Sequence, residues 1–226
     1  MVLVIFSGRP LVLDWASQHV PAILEAWYPG IEAGPALVNI LFGNTNPSGK
    51  LPVSFPRAVG QEPLYLSQLP TGRPATGVDL SHPPTNSLEQ YVSRYIDVPN
   101  SPLYPFGHGL SYTQFAYSPV TLNISSVPLA QLMLAPGRGV VHPAVEATAI
   151  IRNTGGVAGT EIVQLYIEIR GASVEEPVRM LEGFERVTLQ PGESKKVSFP
   201  LGFNELSFIN AKSQRVVEPA DYTVFI

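Results

Sequence analysis

Two glycines and a lysine lie close together in the stretch FGNTNPSGK, and this combination raises the question of phosphate binding. Five residues separate Gly43 from Gly49, and Leu51 follows Lys50. A phosphate-binding loop needs four residues between its glycines and a Ser or Thr after the lysine, because backbone N–H groups hold the phosphate and the hydroxyl reaches magnesium. The spacing therefore argues against nucleotide binding. It predicts instead a turn over Asn46–Gly49, in which Gly49 takes a left-handed conformation.

Acidic side chains are the second group that could do chemistry, since paired carboxyl groups act as general acid and base. The candidates in the first half of the chain are Asp14, Glu25, Glu32, Glu89 and Asp97. Asp14 and Glu25 flank apolar segments, which favours capping or solvent-facing positions. Glu32 lies in the first turn of a predicted helix, where the helix dipole stabilises an anion. Only Asp97, among the aromatic residues of YIDVPN, has a sequence context that suits a cleft.

Aromatic and imidazole side chains give weaker evidence for a functional site than the carboxylates do. Trp27 and Tyr28 could stack on a sugar ring, but their position in an apolar strand favours core packing. The four histidines are scattered and show no metal-ligand spacing, so no metal site is predicted. They are His19, His82, His108 and His142. His108, in PFGHGLSY, is interpreted as packed rather than catalytic.

The first half of the chain must position these residues with an α/β arrangement. The residues Val2–Phe6 predict a buried strand of the kind found in parallel sheets. A second apolar segment covers Ala22–Tyr28. From Ala33 onward apolar residues recur at the spacing of a helix, and Gly43 lies where the C-terminal cap of that helix is expected. Val53 and Phe55 then alternate with polar residues and prolines, as in an edge strand. The stretch from about 58 to 103 has little periodicity and predicts a surface connection.

The second half alternates apolar and polar residues in short strands. Apolar and polar residues alternate in two segments, VEATAIIRN and TEIVQLYIEI, which lie on either side of the turn residues Asn153–Gly156. Three further strands are predicted in the segments VRMLEGFERVTL, ESKKVSFPL and DYTVFI. Another turn is predicted at Gln190–Glu193. Regular short strands with turn signals indicate an immunoglobulin-like antiparallel β-sandwich, and a small barrel is the alternative.

The composition of the chain argues against several classes of function. The 226 residues are 45% hydrophobic and only 14% charged, with a net charge of -4, which argues against nucleic-acid binding. The chain has no cysteine, so disulfides and thiolate metal sites are excluded. Its first residues are neither a signal peptide nor long enough to span a bilayer, so no membrane span is predicted.

Three motifs, in order, resemble glycoside hydrolase family 3, in its bacterial β-glucosidase branch. EAWYPGIEAGPALVNILFGNTNPSGKLPVSFPR resembles the end of the family's α/β sandwich domain, and RYIDVPNSPLYPFGHGLSYTQFAYS resembles the connection that follows it. NTGGVAGTEIVQLYI and the strands after it resemble the family's fibronectin type III-like domain. The resemblance implies an α/β remnant over residues 1–57, an irregular connector over 58–114 and a β-sandwich over 115–226.

The resemblance also implies a retaining β-glycosidase, without a cofactor, that acts on β-glucosides or oligosaccharides. Its aspartate nucleophile lies on an N-terminal (β/α)8 barrel and its glutamate acid/base lies on the sandwich domain. Neither motif matches this sequence, so we predict that no catalytic, cofactor-binding or metal-binding residue lies in this chain and that it is inactive alone. The barrel and the rest of the sandwich domain would be its partners. The complete enzyme would be periplasmic or extracellular.

Several alternatives stay open at this stage. The enzyme could be a β-xylosidase of the same family. The chain could instead be a structural or carbohydrate-binding module, although three outward aromatic residues cannot be placed on one sheet from the sequence. Both ends of the chain fall inside predicted strands, and we therefore expect a fragment of a longer protein. The aromatic residues Tyr104, Phe106, Tyr112 and Phe115 are expected to fix the junction between the two halves.

Overall fold

A computed structural model describes residues 1–132 and 145–226, which form two compact units. The N-terminal unit consists of Met1–Thr45, Lys50–Leu66 and Pro70–Gly109. The C-terminal unit consists of Leu110–Ile226 together with two short segments from earlier in the sequence, Asn46–Gly49 and Ser67–Leu69. The predicted fold class, an α/β part followed by an immunoglobulin-like sandwich, is confirmed.

The N-terminal unit begins with a parallel β-α-β arrangement. Strand β1 (Val2–Ile5), helix α1 (Asp14–His19), strand β2 (Ala22–Glu25) and helix α2 (Ala33–Leu41) follow in order. The two strands pair in parallel, with Ile5 opposite Glu25. Gly43 has φ 77° just after α2, which confirms the predicted glycine cap. Of β1 only Ile5 is buried within this structure, so the prediction of a fully buried strand is wrong for these residues.

The rest of the N-terminal unit is mostly irregular, as predicted. It contains a 3-10 helix (Val59–Gln61) and helix α3 (Ser87–Gln90), whose N-cap is the side chain of Asn86. Leu51 and Phe55 exchange backbone hydrogen bonds with the segment that contains Tyr104 and His108. This pairing explains the edge-strand alternation at Phe55, which is only 1% exposed.

The C-terminal unit contains nine strands and two short helices within the described residues. They are β3 (Phe115–Tyr117), β4 (Thr121–Leu122), α4 (Leu129–Leu132), β5 (Val145–Asn153), β6 (Gly159–Arg170), β7 (Met180–Leu189), β8 (Ser194–Leu201), α5 (Phe203–Leu206), β9 (Phe208–Ile209), β10 (Arg215–Val216) and β11 (Asp221–Phe225). The predicted strands correspond to β5, β6, β7, β8 and β11.

Two antiparallel sheets enclose the core of this unit. One sheet pairs β5 with β3, β4 and β8, and the other has the order β11-β6-β7. Alternate residues of β5 and β6 face inward, and Ile151, Val163 and Ile167 are completely buried. A separate two-stranded sheet joins β9 and β10.

The predicted turn residues Asn153–Gly156 do not form a hairpin. β5 and β6 lie in different sheets, and the turn carries the chain from one sheet to the other. Asn153 explains how the crossing is held, because its Nδ2 atom donates to the carbonyl oxygens of Val157 and Leu189 at 2.8 and 3.1 Å. Gly192, in the predicted turn Gln190–Glu193, has φ 79°, as expected for a glycine in a tight turn. Among the described residues, no helix is both long and apolar enough to cross a membrane.

Candidate functional site

The carboxyl ends of β1 and β2 form the candidate site, because parallel strands present the residues that follow them at one common edge. Ser7 and Gly8 follow β1, while Glu25 ends β2 and Trp27 and Tyr28 come just after it. In open α/β sheets, ligands bind outside the carboxyl ends of the strands. We call these five residues the strand-end cluster.

The carboxylate of Glu25 is the centre of the strand-end cluster. Its Oε1 atom accepts hydrogen bonds from the backbone N–H of Trp27 at 2.9 Å and from the Ser7 hydroxyl at 3.4 Å. Its Oε2 atom is buried and has no hydrogen-bond donor among the described residues. Glu25 does accept a backbone N–H, as a capping residue would, but it is partly buried, so the solvent-facing alternative is wrong.

Trp27 and Tyr28 take opposite roles. Trp27 has φ 52°, a left-handed conformation that is uncommon for a large side chain. Its ring packs edge-on against Phe55, with 5.8 Å between the ring centroids, so the prediction of core packing is confirmed for Trp27. Tyr28 is 81% exposed, so the same prediction is wrong for Tyr28. The turn at Trp27 directs its neighbour away from the packed interior.

Gly8 is a close-packed position beneath the tyrosine. A Cβ atom on Gly8 would collide with the ring and the hydroxyl of Tyr28. The tyrosine therefore lies against the backbone of the loop after β1 while most of its surface is open to solvent. The cluster thus combines a carboxylate, a hydroxyl and an accessible aromatic ring.

Of the other four candidate carboxylates, Asp14 and Glu89 are held by local contacts. Asp14 accepts a hydrogen bond from Gln18 at 2.9 Å within α1. Glu32 occupies the N-cap position of α2 without a side-chain capping bond. Glu89 accepts hydrogen bonds from the backbone and hydroxyl of Thr85, and these bonds lower its pKa. Asp97 is exposed, so this structure provides no enclosed cleft around it.

The three histidines within the described residues also have local partners. His19 stacks on Trp15 with 4.5 Å between ring centroids, and His82 lies 3.7 Å from Asp79. His108 stacks on Tyr104 at 5.1 Å, and its pKa is lowered by burial and by the nearby Lys50 ammonium. His142 lies outside the described residues. Within the described part of the chain, no group of three or more histidine and acidic side chains could hold a metal ion.

The stretch after α2 contains a structural residue that sequence reasoning missed. Asn46 belongs to the C-terminal unit, where its Nδ2 atom donates to the Ala158 carbonyl oxygen at 3.0 Å. Its Oδ1 atom accepts from the Ser111 hydroxyl at 2.9 Å and from the Tyr112 backbone at 2.8 Å. Gly49 is not left-handed, so that expectation is wrong.

Lys50, the residue that suggested phosphate chemistry, donates to the carbonyl oxygen of Gly109 at 2.8 Å. This contact holds the extended segment after the turn within the N-terminal unit. The sequence signal that could have revealed Asn46 is its position between a glycine cap and a proline, where side chains often bond to nearby backbone groups.

The sandwich places three aromatic residues on the outward face of one sheet, which the sequence alone could not establish. Tyr166 lies between Phe225 and Leu181 in the strand register, and Phe184 lies opposite Gln164. The guanidinium of Arg179 covers the Phe225 ring at 4.1 Å, and Tyr166 is partly buried. Of these three, only Phe184, which is 69% exposed, presents an open ring.

A shallow groove of about 480 Å³ also lies on the C-terminal unit. It is lined mainly by apolar atoms from Glu176, Pro177, Met180, Ser207, Phe208, Ile209 and Arg215. Arg215 donates to the Ser207 hydroxyl at 2.7 Å and to the Asn204 carbonyl oxygen at 2.8 Å, so its charge is used within the unit. The groove therefore lacks a set of free polar groups that converge on a ligand.

Two family models match the chain in sequence order. Residues 1–112 match the glycosyl hydrolase family 3 C-terminal domain, and residues 161–226 match the fibronectin type III-like domain. A periplasmic beta-glucosidase from Salmonella typhimurium is 47% identical over all 226 residues, and a beta-xylosidase from Formosa agariphila is 39% identical over the same length. The chain spans 27% and 28% of these two relatives, respectively.

Solved structures are similar along almost the whole chain. The beta-glucosidase from Listeria innocua, in complex with isofagomine, matches 99% of this chain with a TM-score of 0.82 and 36% identity. A b-glucosidase from Erythrobacter marinus matches 99% of the chain with a TM-score of 0.81 and 38% identity. The chain covers 30% and 26% of those two structures.

Proposed function

Because this chain belongs to glycoside hydrolase family 3, as its C-terminal domain followed by a fibronectin type III-like domain, we propose that it is the C-terminal part of a retaining β-glucosidase. The observation that carries the proposal is the 47% identity to a periplasmic beta-glucosidase over every residue of the chain. The proposed substrates are β-glucosides or oligosaccharides.

The proposed roles of the parts of the enzyme follow from the chemistry of hydrolysis with retention of configuration. A retaining glycosidase needs two carboxyl groups about 5 to 5.5 Å apart, one as nucleophile and one as acid/base. We assign neither role to a residue of this chain. An N-terminal barrel and the remainder of the α/β domain would supply both groups, with residues 1–57 completing that domain, 58–114 connecting it and 115–226 acting as a stabilising sandwich.

The proposal is tested by comparing the 226-residue chain with a longer protein in which an N-terminal family 3 barrel and the remainder of the α/β domain precede it. We expect the longer protein to hydrolyse an aryl β-glucoside with retention, and the chain alone to show no turnover. Turnover by the purified chain, abolished by substitution of one of its own acidic residues, would show that the proposed division is wrong.

A β-xylosidase is the second candidate, because the Formosa agariphila relative carries that name at 39% identity. Parallel assays with aryl β-glucoside and aryl β-xyloside separate the two. We favour the glucoside because the more similar of these two relatives is a beta-glucosidase. That relative is named as periplasmic, and we propose the same compartment or the extracellular space, which cell fractionation would test.

A further inference from the structure

We infer that two hydrogen-bonded segments of the N-terminal unit, Lys50–Phe55 and Leu103–Gly109, separate at one end when His108 is protonated. We call these two segments the segment pair. The inference goes beyond the proposed function, because it concerns a pH-dependent opening of this chain and requires no hydrolysis. It is carried by the hydrogen bonds of the segment pair, the ring contacts of His108 and the position of Lys50.

The segment pair is held by hydrogen bonds at two separate ends. At one end, the Phe55 N–H donates to the Tyr104 carbonyl oxygen at 2.8 Å. At the other end, the Leu51 N–H donates to the His108 carbonyl oxygen and the Leu51 carbonyl oxygen accepts from the Gly107 N–H, both at 2.8 Å. Native proteins open locally as well as globally, so one end can open while the other stays closed.

Aromatic contacts make the Phe55 end the more stable of the two. The Phe55 side chain is only 1% exposed, and its ring lies 5.8 Å from that of Trp27 and 6.5 Å from that of Tyr104, measured between ring centroids. The partly buried imidazole of His108 stacks on the far side of this group, with 5.1 Å between its centroid and that of Tyr104. A change at His108 should therefore act on the Leu51 end alone.

Lys50 brings a positive charge close to this imidazole. Its Nζ atom donates to the carbonyl oxygen of Gly109, the residue that follows His108, at 2.8 Å. Burial and the Lys50 ammonium together lower the pKa of His108. Stacking on the ring of Tyr104, the other titratable residue in contact with the imidazole, favours the charged form, but the lowered pKa shows that burial and Lys50 outweigh it.

Protonation of His108 therefore favours an open Leu51 end. The neutral imidazole stabilises the closed segment pair above the ordinary pKa of 6.5, and this contribution is lost as the pH falls through the lower pKa of the folded chain. The charged ring is better solvated once it leaves Tyr104 and moves away from Lys50. Because the His108 carbonyl oxygen is the acceptor for the Leu51 N–H, this movement weakens the hydrogen bonds at that end.

The Leu51 end lies where the chain passes between the two units. Gly49 belongs to the C-terminal unit and Lys50 to the N-terminal unit, while Gly109 ends the N-terminal unit and Leu110 continues in the other. When the Leu51 end opens, residues that were hydrogen-bonded to each other become part of two longer, freer connections. The segment pair thus makes two of the connections between the units sensitive to mild acid.

The experiment is hydrogen exchange of the complete 226-residue chain, measured by mass spectrometry on overlapping peptides at several pH values. After correction for intrinsic exchange, the protection of the Leu51 and Gly107 amides should fall at least about threefold between about pH 7.5 and about pH 5. The Phe55 amide should keep its protection. Exchange of the imidazole C2–H of His108, followed in the same samples, should give a midpoint below pH 6.5 that coincides with the loss.

Two variants and two matched controls separate the charge from the packing. His108→Phe keeps a ring beside Tyr104 and should make the protection of Leu51 independent of pH. Lys50→Met should raise the midpoint of His108 protonation, an effect that a purely structural lysine would not have. His19→Phe, at an exposed imidazole, and Lys196→Met, at an exposed lysine of the other unit, should leave the protection of Leu51 and the midpoint of His108 unchanged.

Three outcomes would overturn the inference. They are protection of Leu51 and Gly107 that does not change with pH, an unchanged pH dependence in His108→Phe, and an equal loss of protection at Phe55, which would mean that the whole unit unfolds. If His108→Phe does not fold, an unchanged His108 midpoint in Lys50→Met contradicts the inference by itself. None of these results bears on whether the longer protein is a glycosidase.

Discussion

The Thr113 hydroxyl donates to the Oδ1 atom of Asn153 at 2.6 Å, and both residues are buried in the C-terminal unit. The same Asn153 oxygen accepts from the Gly155 backbone at 3.1 Å, while Nδ2 bonds to two carbonyl oxygens. One completely buried side-chain amide therefore provides hydrogen-bond partners for the backbone groups of the turn between the two sheets. It also connects this turn to the segment before β3.

Replacing Asn153 should therefore destabilise the C-terminal unit. We expect Asn153→Ala to lower the free energy of unfolding of the C-terminal unit by about 2–4 kcal/mol, because it leaves several buried polar groups without partners. Urea denaturation of the chain followed by circular dichroism would measure the loss. Gln190→Ala, at an exposed position in the next turn, is the control and should change stability by less than about 0.5 kcal/mol. A loss at Asn153 no larger than the control would contradict the role of the amide.

Asn46 gives a second prediction. It makes three hydrogen bonds within the C-terminal unit, although it is far in sequence from its partner Ala158. We expect Asn46→Ala to lower the stability of this unit by about 1–2 kcal/mol, and Asn46→Asp to lose less, because the acceptor for Ser111 and Tyr112 is kept. Thermal melting would measure both. Asn44→Ala, whose side chain makes a long 3.4 Å hydrogen bond to Asn39, should melt like the parent chain.

The strands of the sandwich were predictable because alternation is a local signal. The long strands β5, β6, β7 and β8 each carry several alternating residues, whereas β3, β4, β9 and β10 have only two or three residues each and show no period. Sheet membership is non-local, so the sequence predicted the turn at Asn153 but not that the strands on either side of it belong to different sheets. The same turn chemistry serves a hairpin and a crossing between sheets.

The candidate site was also only partly predictable from the sequence. The apolar segment that contains Glu25 was visible in the sequence, but its end was placed at Tyr28 rather than at Glu25. The positive φ of Trp27 changes the direction of the chain, and no rule based on residue type predicts that conformation for a tryptophan. Tyr28, the residue that follows, is 81% exposed.

The stability of the N-terminal unit should depend on pH through His108. Burial and the nearby Lys50 lower the pKa of His108 below its ordinary value of 6.5, so the folded state favours the neutral ring. Its stabilising contribution is present above pH 6.5 and is lost as the pH falls through the lower folded pKa. We expect His108→Phe, which keeps a ring beside Tyr104, to reduce this dependence in melts between neutral and mildly acidic pH. An unchanged pH profile would count against the assignment, and His19→Phe, at an exposed imidazole, serves as the control.

The irregular connector should be the first site of proteolysis. The stretch 70–77 contains only one residue that is not exposed, Ala75, and it lacks regular secondary structure. We expect limited subtilisin treatment to cut first between Gly60 and Ser87. The segment around Tyr112 should be spared, since the Tyr112 backbone donates to Asn46 and the neighbouring Thr113 is buried. Mass spectrometry of the first fragments would decide, and rapid cleavage next to Tyr112 would refute the prediction.

The N-terminal unit should promote self-association of the chain. Trp15, Ile31 and Phe42 are 67%, 98% and 79% exposed, and a contiguous apolar surface beyond a few hundred Å² marks a binding face or an aggregation risk. We therefore expect the 226-residue chain to bind a hydrophobic dye and to associate through residues 1–57. Ile31→Ser together with Phe42→Ser should reduce both effects. Phe184→Ser, at an exposed ring of the other unit, is the matched control and should change them little.

The C-terminal unit supplies the complementary half of this prediction. A piece that starts at Leu110 retains the buried bond between Thr113 and Asn153, and we expect it to be monomeric and to melt cooperatively. A piece that starts at Phe115 loses that bond and should melt at a lower temperature, because the Asn153 amide then lacks one of its donors. Sedimentation analysis and calorimetry measure the two properties. If the full chain is a monodisperse monomer without dye binding and the piece from Leu110 is unfolded, the source of stability has been assigned to the wrong unit.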